Sequence, residues 1–335
     1  MLLAVCVAVV AFVVVSAVDG GGSGGGHPRG EAATPFAAYF ARAPHVLSSA
    51  AVYPLSRTPQ LPSYPELVSS RFRAPIAQYR AYAASQLGVM ERRLAPLRAA
   101  LEANDRSAAR AAWRSAYTTY LKLGAVYLVG PVAALNQQID GTAGGLPGGV
   151  SNRRFTGLHR IEYGLWSGAP PRSLVATEQQ LQVAVRRLHA AVPHVTILPL
   201  EYATRAHEIL EDAQRDLLSG ADVPWSGEGP LATYAGLEAT EEVISTLKPL
   251  LVSDEEVLRS VRDELSVLRS RMDAIALAHG GRLPPNPSLT RAQAEQLDGA
   301  LGGALEALSQ VPGRLEVEAP PHVTPIPSSA VRIDP

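Results

Sequence analysis

Apolar residues recur at helical spacing along most of this chain, most plainly in its last third. Val257, Val261, Leu265, Leu268, Met272 and Ile275 are separated by 4, 4, 3, 4 and 3 positions, which aligns them on one face of a helix. Ser253 ahead of them and Glu256 three residues later form a capping box that satisfies free amides of a first turn. Gly280 and Gly281 end the pattern, and Pro284 and Pro285 keep it from resuming. The same reading predicts helices over 66–102, 105–129, 154–166, 172–191, 199–219, 230–251, 254–279 and 291–310. No segment alternates apolar and polar residues for long, and the β-rich patch at 192–200 is broken by Pro193 and Pro199. The expected fold class is all-α, with two antiparallel four-helix bundles over about 65–168 and 169–310. The natural hinge between them is 167–171, which holds Gly168, Pro170 and Pro171.

Both flanks depart from this pattern. Residues 2–18 carry no charge, and Ser16 is their one polar side chain. The run is short of the roughly 20 residues that span a bilayer and long for a signal-peptide core. Residues 20–26 form a flexible tether of glycine and one serine. An apolar run followed by a tether predicts export, with residues 1–18 as a signal peptide or signal anchor. An uncleaved run would give membrane contact through the N-terminus. Residues 19–64 read as a flexible Gly/Pro-rich lead-in, and 311–335 as a Pro-rich disordered tail. The expected location is extracytoplasmic, in the periplasm or at the cell surface.

Composition narrows the chemistry. The 335 residues are 47% hydrophobic and 18% charged, enough to bury a sizeable core. Thirty basic residues face 31 acidic ones, and no basic block occurs, so nucleic acid is not an expected partner. The single cysteine, Cys6, lies inside the N-terminal apolar run. Disulfides, thiolate metal sites and cysteine nucleophiles are therefore excluded from the helical region. A metal site there must use His, Asp, Glu or Tyr.

Three stretches could carry such chemistry. In the first, His159 and Glu162 are three apart on a predicted helix, so imidazole and carboxylate can reach one ion. Iron, zinc or manganese suits that donor pair. A lone HxxE also arises by chance as a solvated or hydrogen-bonded pair. The order is not HExxH, so the zinc-peptidase arrangement is absent. Phe155, Leu158, Ile161 and Leu165 make the apolar face beside the pair, which should therefore point inward. A buried carboxylate needs compensation. A metal, Arg205, or a hydroxyl from Tyr117 or Tyr120 would supply it. In the second stretch His207 and Glu211 share one helix face, and Glu208 and Asp212 another. Arg205 with Glu208 is an ordinary i,i+3 ion pair, and such faces are common on surface helices. The third is an aromatic stripe of Trp113, Tyr117, Tyr120 and Tyr127, which reads as core or as the wall of a polar pocket. Asp140 follows it, at the start of a glycine-rich loop that runs to 149.

Taken in order, these stretches resemble the imelysin-like family, in particular the EfeO/EfeM-type components of bacterial iron uptake. The resemblance runs from about 112 to 251. It rests on Trp113 with Tyr120, GTAGGLPGGV at 141–150, FTGLHRIEYGLW at 155–166, RAHEILED at 205–212 and LLSGADVPWSGEGPLATYAGLEAT at 217–240. The family hallmark GxHxxE falls on Gly157, His159 and Glu162. The resemblance implies two helical bundles outside the cytoplasm that bind iron, ferric or ferrous, or zinc or another divalent transition metal. The implied partners are an iron permease in the membrane and, in some systems, a haem-containing peroxidase. It ranks His159, Glu162, Glu208 and Asp140 as metal ligands, with Tyr117, Tyr120, Arg205, His207 and Glu211 lining the site. The family has also been labelled a peptidase family, an activity that these residues do not support. Longer members carry an N-terminal cupredoxin domain, for which 27–64 is too short. Some members have a glutamate after the tyrosine that matches Tyr120, where this chain has Leu121.

Overall fold

The computed structural model describes residues 64–126 and 132–317, all within one compact unit. The apolar run, the tether, the lead-in to residue 63, Tyr127 and the tail beyond 317 lie outside the described residues. Nine α-helices and no strand occur among the described residues. They are α1 (Tyr64–Glu102), α2 (Arg106–Leu121), α3 (Val132–Ile139), α4 (Gly157–Trp166), α5 (Val175–Ala191), α6 (Pro199–Asp212), α7 (Gly229–Leu247), α8 (Glu255–Ala278) and α9 (Arg291–Val317). None of the described helices is long and apolar enough to cross a membrane.

Helical periodicity explains the core. Tyr79, Ala83, Leu87, Met90, Leu94, Leu97 and Leu101 of α1 recur every three or four residues and are fully buried. All six apolar residues of the α8 stripe are buried too. α1, α2, α4 and α5 pack on one another, and α6, α7, α8 and α9 do the same. α7 also packs on α1 and α2, and α6 on α1, so the two groups share contacts.

Several sequence expectations are corrected. α5 packs on α1, α3 and α4, so a division at 168/169 would cut through the first group. The segment around 167–171 is a turn after α4, where Arg106 donates to the carbonyls of Leu165, Gly168 and Ala169. The predicted 105–129 helix stops at Leu121 and gives way to a 3-10 turn, Gly124–Val126. There the Tyr79 hydroxyl donates to the Leu123 carbonyl and accepts from the Ala125 amide. α3 was not anticipated. α8 takes Asp254 as its N-cap, with no side-chain cap bond, where the sequence pointed to Ser253. α9 runs through Pro312 to Val317, past the expected start of a disordered tail. Leu297, Leu301, Ala304, Leu308, Val311 and Leu315 continue its buried stripe, and their burial outweighs the lost backbone bond at the proline.

Candidate metal centre

His159 and Glu162 point inward, as their place beside the apolar face of α4 requires, at 1% and 0% exposure. The His159 Nδ1 lies 2.9 Å from Glu162 Oε2. Glu162 Oε1 accepts the Ser226 backbone N–H at 2.8 Å. Both carboxylate oxygens are thus engaged, and neither Arg205 nor a tyrosine supplies the compensation. Glu162 holds one edge of the ring and leaves Nε2 facing the other way.

Nε2 faces two carboxylates. Asp140 Oδ1 is 3.3 Å away and Asp222 Oδ1 3.6 Å, yet Nε2 makes no hydrogen bond. One ligand atom from each of Asp140, His159 and Asp222 lies within 4.8 Å of the other two. Bonds of about 2.1 Å to a shared ion hold neighbouring ligand atoms roughly 3–3.4 Å apart, so little movement would close the group on a metal. One nitrogen and two carboxylates make an oxygen-rich, mainly hard donor set.

Three pieces of chain meet here, each placed by identifiable contacts. Asp140 follows α3, and its carbonyl accepts the His159 N–H at 3.0 Å. This crossing is possible because both strands of it are glycine. A Cβ on Gly141 would stand 1.9 Å from the Thr156 carbonyl oxygen, and one on Gly157 2.4 Å from that of Ile139. Both glycines also have left-handed φ, +72° and +69°. Asp222 belongs to the loop between α6 and α7. Its amide bonds the Asp216 carbonyl at 2.9 Å, and its Oδ2 accepts the Tyr117 hydroxyl at 2.8 Å. Asp216 itself lies in a π-helical turn, Ala213–Leu218, that widens the end of α6.

The aromatic stripe positions the centre. The indole of Trp113 donates to the Leu158 carbonyl at 2.8 Å, one residue before His159. Tyr117 stacks on Trp113 and meets the His159 ring edge-on, with centroids 5.6 Å apart. Tyr120 sits one turn on and donates to Asn136 of α3. The stripe is therefore both core and pocket wall.

Burial disfavours a charged His159, but Asp140, Glu162 and Asp222 around it hold the imidazole well above its usual pKa. Burial pushes the Asp222 carboxyl up, and Asp140 adds to the rise, while His159 opposes it. The Tyr117 hydroxyl is raised by burial and then by Asp222 and Asp140. Two cavities flank the group. One of about 360 Å³ touches His159, Asp222, Asp216, Thr142 and Trp225. The other, of about 320 Å³, touches Asp140, Asp222, Asp216, Tyr120 and Arg205.

Of the remaining expected residues, Arg205 lines the second cavity, while Glu208, His207 and Glu211 pair with other groups. Glu208 pairs with Arg205 at 3.0 Å, its side chain 38% exposed. Its place on α6 turns it to its own i,i+3 partner rather than to His159. Arg205 also reaches Asp212 and the Gly124 carbonyl. His207 and Glu211 form a separate i,i+4 pair at 3.3 Å. Leu121 lines the second cavity and offers no ligand atom. Asp222 was missed: it lies within the stretch 217–240 that carries the resemblance, but no spacing in the sequence ties it to His159.

Residues 75–221 match the family model described as imelysin, a family that also bears the label peptidase M75. An iron uptake system component EfeM from Bacillus subtilis is 26% identical over 110 residues, 33% of this chain and 29% of that protein. An iron uptake system component EfeO from Yersinia pseudotuberculosis is 20% identical over 249 residues, 73% of this chain and 64% of that protein. The chain thus spans less than two thirds of the length of either relative. The helical fold and these matches agree with one another: over the matched residues the chain is similar to imelysin-like proteins of the EfeO/EfeM type.

Proposed function

We propose that this protein is the exported metal-binding component of an iron uptake system. It holds iron as cargo between Asp140, His159 and Asp222 and passes it to a permease in the membrane. The observation that carries the reading is the buried Nε2 of His159, without a hydrogen bond, facing two carboxylates. The names of the relatives as iron uptake components favour iron among the metals that such donors accept. Glu162 acts on the ring rather than on the ion: it fixes Nδ1 as the protonated nitrogen and leaves Nε2 free to bind, the usual carboxylate–histidine–metal arrangement. Carriage rather than peptide hydrolysis is the role. Glu162, the carboxylate next to the histidine, has both oxygens engaged and is not free to act as a general base.

Calorimetric titration with ferrous iron under anaerobic conditions tests the site. His159→Ala and Asp222→Ala should each weaken binding at least about tenfold, roughly 1.4 kcal/mol. Glu208→Gln should bind like the unaltered protein. Unchanged affinity in both His159→Ala and Asp222→Ala would dismiss the centre.

A further inference from the structure

A third cavity, of about 300 Å³, opens elsewhere on the surface and is lined by Arg93, Arg114, Arg282, Ser115, Thr118 and Leu231. Three guanidiniums line this one small opening, although the net charge of the chain is −1. Arg93 and Arg282 are exposed. The Arg93 guanidinium bonds the carbonyl and hydroxyl of Ser115, and Arg282 has no ion pair among the described residues. Among the described residues Arg114 alone of the three is neutralised, by Glu228.

That one pair leads inward. Glu228 is almost wholly buried, with a side-chain exposure of 3%, and Arg114 is its ion-pair partner. The Glu228 amide donates to the Ser226 hydroxyl at 3.3 Å. The Ser226 amide donates to Glu162, and Glu162 holds His159. The loop that contains Ser226 and Glu228 also carries Asp222. The arginine cavity and the metal centre are therefore two ends of one chain of polar contacts.

We propose that this cavity receives a carboxylate from an acidic segment of the protein that takes the ion, and that its arrival promotes release. This rests on the carrier reading above. The incoming carboxylate is drawn by Arg93 and Arg282 and competes with Glu228 for Arg114. A Glu228 that loses its partner is a buried, uncompensated charge, a state the loop relieves by moving. Movement of the loop shifts Asp222 and the Ser226 amide together, so one ligand and the support of another loosen in a single event.

The test follows loss of bound iron to an excess of a coloured ferrous chelator, with and without a hexaglutamate peptide as the probe. The peptide should speed loss from the unaltered protein by roughly five- to tenfold, at the low end of coupling between sites. It should not do so in Arg93→Ala/Arg282→Ala, two exposed positions outside the metal centre. The double variant should bind iron as tightly as the unaltered protein when no peptide is present. Equal acceleration in both proteins, or none in either, would overturn the docking proposal while leaving the carrier reading intact. Absence of bound iron in the unaltered protein would defeat the carrier reading first.

Discussion

The carboxyl group of Glu162 is held wholly out of water, with one oxygen on an imidazole and the other on a backbone amide. In Glu162→Gln an NH2 group must face one of those two donors. Iron affinity should fall about 10- to 100-fold, as for other supports of a ligating histidine, with helicity unchanged by circular dichroism. Acid acts at the same ring. The pKa of His159 is raised in the folded protein, so its attraction to the surrounding carboxylates stabilises the iron-free fold fully below the unfolded value of about 6.5. That contribution disappears as pH climbs through the folded value. Ligation needs the neutral ring, so iron binding should release a proton and tighten with rising pH. Calorimetry in buffers of different ionisation enthalpy reads the proton directly, and an affinity that is flat with pH would count against His159 as a ligand. At this scale the nearness of His159 to Glu162 was legible in their helical spacing, whereas Asp140 was marked as a candidate only by the family resemblance. Asp222 was not legible, because its nearness to His159 is created by the Asp216 carbonyl and the Tyr117 hydroxyl, which no local pattern announces.

The crossing of the segment after α3 with the start of α4 depends on the absence of two side chains. Gly157→Ala would put a methyl 2.4 Å from a carbonyl oxygen at a left-handed φ of +69°. A loss of about 2–4 kcal/mol is expected in urea unfolding, together with weaker iron binding, because Asp140 and His159 are separated. Gly144→Ala is the control. Beyond its immediate chain neighbours no atom lies within 4 Å of the position its Cβ would take, and stability should change by less than about 0.5 kcal/mol. Gly157→Ala as stable as Gly144→Ala would show that the crossing yields easily. The long helices were readable because their apolar stripes persist for many turns, as in α1 and α8. α3 was not, because Val132–Ile139 is only eight residues long and buries just Val132 and Ile139 along its length. Pro312 misled for the opposite reason: its local rule is sound, but the tertiary burial of Val311 and Leu315 prevails over it.

At the level of the whole molecule, the all-α class was legible in the periodicity, while the grouping of helices was not. Helix count is compatible with several groupings, and only tertiary contact assigns α5 to the first set. The three proposed ligand positions have a further consequence. Asp140 and Asp222 are 222 − 140 = 82 residues apart in the chain, yet both face one imidazole. An ion bound among them is a cross-link as well as a cargo, a clasp that closes a long loop and exists only while the protein is loaded. Free iron at 100 times its Kd should then add about 2.7 kcal/mol to stability. That corresponds to a rise in Tm of roughly 5–10 °C for a domain of this size. Differential scanning calorimetry should show the rise in the unaltered protein and its loss in Asp222→Ala. Full and empty carriers would accordingly differ in how readily they unfold, so a protease that attacks opened chains would remove the empty ones first and spare those still carrying iron.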